Sequence, residues 1–296
     1  MRIVTRGDLD GLTAAVLITE MESIESIELI HPQDLTDKRF EIRAGDILAN
    51  VPYDPRCSKW FDHHELTESN EKPPKKFDGL YKKAPSTARV VYEYYRNPKL
   101  DRFSELLAET DRMDSANLTL NDVVNPKGYI LLGYTIDPRT GLGSFKEYFL
   151  DLLQALKTKP IDDILQMPEV KRRVDVMMRE WDEFKKLTHE NSTVDGNVLL
   201  TDFRSIDPVP VGNRFLVYVM YPTINVSVRV HWGPQKKFVA VVAGHSIFNR
   251  TCKFNIGELM SDFGGGGHAG AGAAPLKVET ADQDLKEILR RLRSSQ

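Results

Sequence analysis

The fold is decided by the first segment of the chain, RIVTRGDLDGLTAAVLITEM, residues 2–21. Arg2 to Thr5 have the pattern of a buried strand, and from Gly11 onward apolar residues recur at helical spacing. Further strand-like runs lie at 27–30, 47–51 and 59–61. Strands that alternate with helices predict a mostly parallel sheet, whose ligands gather at the carboxyl ends of its strands. We therefore expect an α/β fold.

The character of the chain changes near residue 196, where a mainly helical stretch ends. The β-rich runs that follow lie at 198–201, 215–221, 225–231 and 238–243. Helical patterns then occur near 256–263 and 282–293. We predict an N-terminal parallel-sheet domain (1–130), a helical connection (131–195) and a smaller C-terminal α/β domain (196–296).

Composition limits the class of function. The 296 residues carry a net charge of -3, which argues against a protein that coats long nucleic acid and favours small anionic substrates. No apolar run approaches a membrane span, and the N-terminus lacks the pattern of an export signal. Cys57 and Cys252 suggest neither a disulfide framework nor a thiolate zinc site. We expect a cytoplasmic protein with no membrane contact.

Asp8 and Asp10 lie between the first strand and the first helix. Two carboxylates two positions apart on an extended segment point to the same face, so they can share a hard divalent cation such as Mn²⁺ or Mg²⁺. The alternative is that Asp10 caps the helix and Asp8 is simply exposed.

A second acidic and histidine cluster, Asp62-His63-His64, follows another strand-like run. Neighbouring side chains on an extended chain point to opposite sides, so the two histidines should have separate roles, one toward metal and one toward substrate. The alternative is a pair of solvated polar residues at a strand end.

Asp111 and Asp114 end a helical pattern, and their three-residue spacing keeps them on one face if the helix persists. One or both can complete the carboxylate set, although a polar helix terminus is an alternative reading.

A run of glycines, Gly264 to Gly267, is followed directly by His268. Such a run has a high entropic cost on folding. A site where backbone N–H groups must approach an anion closely would explain why the chain has it. A phosphate cradle with a histidine at its rim is the favoured interpretation, and a flexible linker is the alternative. Arg250 lies shortly upstream and can clamp a phosphate with two N–H groups, unless its role is structural.

These motifs, in this order, resemble the DHH phosphoesterase superfamily, in the branch whose C-terminal DHH-associated domain carries a Gly-Gly-Gly-His signature. Residues 5–11 are similar to the first motif of that family, 62–64 to the third, 111–116 to the fourth and 265–268 to the C-terminal signature. RecJ-like proteins, nano-RNase/pAp-phosphatase relatives and exopolyphosphatase-related proteins share this arrangement. The resemblance spans nearly the whole chain.

The resemblance implies one or two Mn (or Mg) ions in the first domain and a second domain that clamps the substrate. It implies metal ligation by Asp8, Asp10, His63, Asp111 and Asp114, with Asp111 and Asp114 as alternatives. It implies that Asp62, His63 and His64 are catalytic, with Asp62 supporting the adjacent histidine. It implies substrate contacts from His64, Arg250, Gly265, Gly266, Gly267 and His268.

Two residues depart from the family pattern. Arg6 stands where the first motif usually has histidine, and Asn50 stands where the second motif usually has a bridging aspartate. Arginine does not ligate metals, and a neutral amide is a poorer bridge than a carboxylate. The sequence therefore leaves one metal position in question, and Arg6 can supply a fixed positive charge instead.

The expected activity is metal-dependent hydrolysis of phosphodiester or phosphomonoester bonds in short nucleotides: an oligonucleotide, a cyclic dinucleotide or adenosine 3',5'-bisphosphate (pAp). One alternative is a catalytically weakened nucleotide-binding or sensor protein. Another is an exopolyphosphatase, which the resemblance disfavours because such relatives carry a different C-terminal domain. The sequence leaves the oligomeric state open and allows a homodimer.

Overall fold

The computed structural model describes residues 1–36, 38–64, 72–136, 146–209 and 212–293. The chain divides into two compact units, Met1–Val176 and Met177–Gln296. The helical stretch predicted as a connection therefore contributes residues to both units. None of the helices among these described residues has the length and hydrophobicity needed to cross a membrane.

The first unit is built on a five-stranded parallel sheet in the order β2-β1-β3-β4-β5. Its strands are β1 (Arg2–Thr5), β2 (Ser26–Leu29), β3 (Asp46–Ala49), β4 (Lys59–Asp62) and β5 (Gly79–Tyr81). All of these strands are short, and the central positions of β1, β3 and β4 are apolar and buried. Buried apolar strands of this kind are expected where helices or loops cover both faces of a parallel sheet.

The helices of the first unit are α1 (Leu9–Met21), α2 (Pro32–Thr36), α3 (Thr87–Tyr95), α4 (Ser104–Asp114), α5 (Leu120–Val124), α6 (Gly128–Ile136), α7 (Lys146–Thr158) and α8 (Ile161–Leu165). Helix α9 (Pro168–Arg179) crosses the boundary between the two units. The central helix is α1, which contacts α3, α4, α6 and α7. Ten consecutive residues of α1, starting at Leu9, are buried, which fits a helix that is apolar on all sides.

The second unit contains a six-stranded mixed sheet in the order β10-β11-β9-β8-β7-β6. Its strands are β6 (Ser192–Asp195), β7 (Val198–Asp202), β8 (Val226–Trp232), β9 (Val239–His245), β10 (Gly266–His268) and β11 (Ala271–Leu276). Its helices are α10 (Trp181–Glu190), α11 (Leu216–Met220), α12 (Ile256–Ser261) and α13 (Ala281–Arg293). Helices α12 and α13 pack their apolar residues on one face of the sheet. Together the two units confirm the predicted α/β class.

One local prediction was wrong. Residues 215–221 were expected to form a strand, but they contain α11, because a short apolar run fits a buried helix as well as a strand. Strand β5 is short, and its three residues pair with β4. Two residues of the glycine run, Gly266 and Gly267, belong to β10.

Candidate active site

The candidate site lies at the carboxyl edge of the first sheet. Arg6 and Asp8 follow β1, Asn50 follows β3, and Asp62 is the last residue of β4. These three strands are hydrogen-bonded neighbours and run in the same direction, so the segments that follow them lie side by side. In parallel α/β sheets, this edge is where ligands bind.

Asp8 fixes the start of α1. It is the N-cap residue, and its carboxylate accepts a hydrogen bond from the Gly11 N–H at 3.0 Å. Gly11 permits this tight turn, because a Cβ atom there would lie 2.1 Å from the carbonyl oxygen of Arg6. The sequence alternative assigned the cap to Asp10 and left Asp8 exposed. In the structure Asp8 is the cap, and both Asp8 and Asp10 are buried.

Asp10 lies in the first turn of α1 and is 1% exposed. Its two carboxylate oxygens accept hydrogen bonds from the backbone N–H groups of Thr87 (2.9 Å) and Ala88 (2.8 Å) at the amino end of α3. Burial, together with the negative charge of Asp114, raises the pKa of Asp10 to about 7. A positive charge near Asp10 would favour its ionised form.

The His63 ring is held so that one nitrogen faces the carboxylates. Its Nδ1 atom lies 2.9 Å from the carbonyl oxygen of Ala84, an acceptor, so Nδ1 carries the proton in the neutral ring. Its Nε2 atom lies 3.1 Å from Asp114 Oδ2 and 3.9 Å from Asp10 Oδ2. Burial lowers the pKa of His63, but the two carboxylates outweigh this effect and raise it to about 9.

The structure distinguishes Asp111 from Asp114. Helix α4 extends through Asp114, whose carboxylate faces His63, and this contact holds the pKa of Asp114 below its usual value in spite of burial. Asp111 instead accepts a hydrogen bond from the Ser86 hydroxyl at 2.6 Å and forms an ion pair with Arg89. The carboxylate of Asp111 is therefore bound by protein groups.

A metal ion fits between Asp10, His63 and Asp114. One ligand atom from each residue lies within 4.8 Å of the others. Nε2 of His63 is buried and, among the described residues, makes no hydrogen bond, although carboxylate oxygens lie close to it. An imidazole nitrogen 3.1 Å from one carboxylate and 3.9 Å from another offers a mixed nitrogen and oxygen donor set for a divalent cation, and the Ala84 carbonyl fixes the ring as outer-shell partners of metal ligands do. We find no sequence signal that identifies Ala84, because a backbone carbonyl carries no side-chain pattern.

Asp62 orients the other histidine. Its Oδ1 atom lies 2.7 Å from Nδ1 of His64 and accepts a hydrogen bond from the backbone N–H of His63 at 2.8 Å. The sequence analysis paired Asp62 with the adjacent His63, whereas the ring that it contacts is that of His64. The alternation of side chains along the extended chain explains this geometry, since Asp62 and His64 lie on the same side.

Arg6 and Asn50 both contact Asp8. Nε of Arg6 lies 3.3 Å from Asp8 Oδ2, and Nδ2 of Asn50 donates a hydrogen bond to Asp8 Oδ1 at 3.1 Å. Asn50 is 1% exposed and has φ of 61°, a left-handed conformation that asparagine tolerates better than most residues. The two departures from the family pattern are therefore in direct contact with the same carboxylate.

In the second unit, the glycine run forms the edge of the sheet. Strand β10 pairs with β11 in an antiparallel hairpin, with Gly266 opposite Ala273 and His268 opposite Ala271. A Cβ atom at Gly265 would lie 2.0 Å from the carbonyl oxygen of Ala273, whereas a Cβ atom at Gly266 would meet nothing within 4 Å. Gly265 is thus required by packing, and Gly266 leaves open space beside the edge strand.

The loop that carries Arg250 contacts the tip of this hairpin at both ends. The His245 N–H donates to the carbonyl of Gly270 at 2.8 Å, and the Ile256 N–H donates to the carbonyl of Ala269 at 3.0 Å. Arg250 is exposed, and its Nε donates to the carbonyl of Ile247 at 2.9 Å. His268 is also exposed, so a cation and an imidazole belong to neighbouring segments of this unit.

Comparison with solved structures reveals a full-length relative. The chain is similar to the pGpG-specific phosphodiesterase PggH from Vibrio cholerae, with 36% identity, a TM-score of 0.81 and coverage of 100% of this chain and 99% of that one. RecJ from Thermus thermophilus in complex with Mn²⁺ is 13% identical with a TM-score of 0.59 and matches 98% of this chain and 51% of its own. An exopolyphosphatase-related protein from Bacteroides fragilis is 14% identical with a TM-score of 0.55, covering 99% of this chain and 92% of its own. The last two likenesses show the fold.

Among curated sequences, the chain is similar to the A-adding tRNA nucleotidyltransferase of Aquifex aeolicus, with 23% identity over 233 residues. That alignment covers 78% of the chain but 24% of the nucleotidyltransferase, so the chain spans about a quarter of the length of this relative. No family model matches the chain. The full-length match to PggH, the fold and the ordered motifs agree: the chain belongs to the DHH phosphoesterase superfamily and is a hydrolase of phosphate esters.

Proposed function

We propose that this protein is a metal-dependent phosphodiesterase that cleaves short linear dinucleotides of the pGpG class. The observation that carries the proposal is the group of Asp10, His63 and Asp114 at the strand ends of a chain that is 36% identical to a pGpG-specific phosphodiesterase over its full length. Cleavage of the bridging phosphodiester in pGpG consumes one water molecule and releases two mononucleotides. The net charge of -3 also fits a small substrate better than long nucleic acid.

The proposed metal ligands are Asp10, His63 and Asp114, and we propose Mn²⁺ as the favoured ion. Mg²⁺ prefers an all-oxygen shell, whereas an imidazole nitrogen suits Mn²⁺ better. The ion, when bound, supplies Lewis-acid stabilisation of phosphoryl charge and acidifies water. The carbonyl of Ala84 holds the His63 ring through Nδ1, so that Nε2 is directed toward the proposed metal position. Asp111 is excluded from our ligand set because Ser86 and Arg89 bind its carboxylate.

His64 is the proposed acid or phosphate contact. Asp62 lies against its Nδ1 atom, so in the neutral ring Nδ1 donates to the carboxylate and Nε2 is the atom that can face substrate. An imidazole held in one orientation by a buried carboxylate is suited to give a proton to a leaving oxygen or to bind a phosphoryl oxygen. The side chain is 23% exposed, so it is accessible to a small ligand.

The second unit is proposed to select the substrate. The edge of β10, from Gly266 to His268, presents backbone groups and an exposed imidazole, and Arg250 lies on a loop bonded to the same hairpin. Backbone N–H groups and an arginine are suited to a terminal phosphate.

The test is a turnover assay with purified full-length protein and Mn²⁺. The substrates are pGpG, pApA, cyclic di-GMP, pAp and polyphosphate, with nucleotide products separated by chromatography. We expect pGpG to be cleaved with the highest kcat/KM, and His63→Gln to reduce that value at least a hundredfold. Asp162→Ala, an exposed change in α8, is the matched control and should retain full activity.

Other outcomes assign the alternatives. Cleavage of pAp or polyphosphate in preference to pGpG would reject the dinucleotide assignment. Tight binding of pGpG without turnover of any of the five compounds would indicate a sensor protein rather than an enzyme. A cytoplasmic location remains part of the proposal, supported by two cysteines that are both free thiols. The expectation of a possible homodimer is tested by measuring mass in solution.

A further inference from the structure

Arg6, which is half-buried, forms a polar cluster with the buried residues Asp8 and Asn50 beside the proposed metal ligands. Oδ1 of Asp8 accepts two hydrogen bonds, from the Gly11 N–H at 3.0 Å and from the Asn50 amide at 3.1 Å. Its other oxygen, Oδ2, faces the guanidinium of Arg6 at 3.3 Å. Oδ1 of Asp8 is therefore hydrogen-bonded to protein donors, and the negative charge of Asp8 is paired with Arg6.

A metal ion does not fit at Asp8. Any cation bound to Oδ2 would lie next to the guanidinium, which carries a permanent positive charge and cannot lose its proton. Oδ1 already accepts two donors, which is the usual capacity of one carboxylate oxygen. The family resemblance implies that Asp8 is a metal ligand, and the contacts of this chain disagree with that role.

The same cluster offers two groups that a phosphate ester can use. Nε is the Arg6 atom nearest to Asp8, and among the described residues its two Nη groups donate no hydrogen bond. Planar guanidinium groups bind phosphate oxygens through paired N–H donors. Oδ1 of Asn50 is buried and lacks a hydrogen-bond partner among the described residues, so a water molecule or hydroxyl donor would satisfy it.

We propose that Arg6, positioned by Asp8 and Asn50, is the phosphate-binding cation of this site, and that each chain holds one metal ion at Asp10, His63 and Asp114. This proposal rests on the proposed function for its substrate class. In it, a fixed guanidinium occupies the place of a second ion. Arg6 contacts phosphate, and Asp8 and Asn50 are positioning residues that act through it.

The first experiment counts metal ions without substrate. Metal-free full-length protein is titrated with Mn²⁺ by calorimetry, and bound ion is checked by electron paramagnetic resonance. We expect one tight ion per chain. The double variant Arg6→His/Asn50→Asp removes the guanidinium and adds an imidazole and a carboxylate, and it should bind two. Two tight ions in the unmodified protein would overturn the proposal, as would a double variant that folds and still binds one.

The second experiment measures phosphate binding by the Mn²⁺-loaded protein, with inorganic phosphate as the probe. Arg6→Met should weaken phosphate binding at least tenfold and leave one Mn²⁺ per chain, and Arg6→Lys should restore part of the affinity. The matched control is Arg2→Met. Arg2 lies at the amino end of β1, away from the candidate site, and its Nε donates a hydrogen bond to Asp46 Oδ1 on β3 at 2.9 Å. Equal phosphate affinity in Arg6→Met and Arg2→Met would overturn the proposal.

These two measurements separate this inference from the proposed function. Both use Mn²⁺ and inorganic phosphate alone, so their results do not depend on whether pGpG is cleaved. A protein that binds one ion and uses Arg6 for phosphate, yet cleaves none of the five compounds, would support the inference and reject the enzyme assignment.

Discussion

Asp10 accepts a hydrogen bond of 2.8 Å from the backbone N–H of Ala88, a residue 78 positions away in the sequence. Through this contact and the one from Thr87, a proposed metal ligand also satisfies the amino end of α3. The favourable position of a carboxylate at a helix amino end offsets part of the cost of burying its charge. Folding and ligand geometry therefore depend on the same carboxylate.

The first prediction concerns this double role of Asp10. Asp10→Ala leaves two buried N–H groups without an acceptor. Because the raised pKa of Asp10 means that its buried charge opposes folding at neutral pH, the resulting loss of about 1–3 kcal/mol in the free energy of unfolding of the metal-free protein should be measured at about pH 4, near the ordinary pKa of aspartate. The variant should also lose tight Mn²⁺ binding. Urea unfolding and calorimetric titration measure the two effects, with Asp162→Ala as the exposed control. If Asp10→Ala were as stable as that control, the helix contact would have no energetic role.

The second prediction separates two aspartates one helical turn apart. Asp114→Asn should weaken Mn²⁺ binding at least tenfold, because it removes a charged ligand facing His63. Asp111→Asn should keep the Mn²⁺ affinity but lower stability by about 1–3 kcal/mol, because Arg89 loses its partly buried partner. Calorimetry measures the Mn²⁺ affinity of both variants, and urea unfolding measures their stability. Equal losses of Mn²⁺ affinity would place both carboxylates on the ion.

The third prediction concerns pH. In the metal-free site the pKa of His63 is raised to about 9, because Asp114 and Asp10 outweigh the effect of burial, and the pKa of Asp10 is raised to about 7 by burial. Below these values the ligands hold protons that a metal ion must displace. The apparent affinity for Mn²⁺ should therefore rise with pH up to about 9, by at most about tenfold per pH unit for each proton released.

Proton release measures this competition directly. Calorimetric titrations at pH 7.5 in buffers of different ionisation enthalpy should give a release of about one proton per ion bound. The control variant is His231→Gln, in a strand of the second unit, which should not alter that number. An affinity that is constant between pH 7 and pH 9 would show that His63 is already deprotonated in the metal-free protein.

Sequence patterns identify candidate ligands at strand ends more readily than they identify the groups that support those ligands. Asp10 and His63 follow apolar strands, and parallel strands bring such positions together regardless of their separation in the chain. By contrast, the groups that orient His63 and Asp10 belong to the backbone: the Ala84 carbonyl and the N–H groups of Thr87 and Ala88. Any residue type can supply such groups, so the sequence does not identify them.

Two features of the site could not be predicted from the sequence, for physical reasons. The pairing of Asp62 with His64 rather than His63 depends on which side of an extended chain each ring occupies, and local spacing leaves the hydrogen-bond partner open. The choice between Asp111 and Asp114 depends on Arg89, which lies on another helix. The glycine run was interpreted as a phosphate cradle, and its pairing with β11 as an edge strand depends on tertiary contacts that composition does not show.

The fourth prediction assigns different roles to the two histidines. His63→Gln should lose tight Mn²⁺ binding, because the Nε2 ligand is removed. His64→Gln should keep one Mn²⁺ but lower kcat for pGpG about a hundredfold or more, as expected for loss of a group that acts on protons or phosphoryl charge. Asp62→Asn should resemble His64→Gln in Mn²⁺ content. Loss of the metal in His64→Gln would show that both rings bind it.

The last prediction uses the unequal surroundings of two neighbouring glycines. Gly265→Ala forces a Cβ atom against the carbonyl of Ala273, 2.0 Å away, so the second unit should lose roughly 1–3 kcal/mol of stability. Gly266 has no positive φ and no atom within 4 Å of its Cβ position, so Gly266→Ala should fold normally. If substrate phosphate approaches the backbone of β10, Gly266→Ala should still weaken pGpG binding severalfold and leave Mn²⁺ binding intact.

Arg250→Ala should also weaken pGpG binding, with a loss of about 1.5–3 kcal/mol if Arg250 makes a charge-assisted contact with the substrate. Unchanged pGpG affinity in both variants would make the glycine run a purely structural element, since only Gly265→Ala would then have an effect.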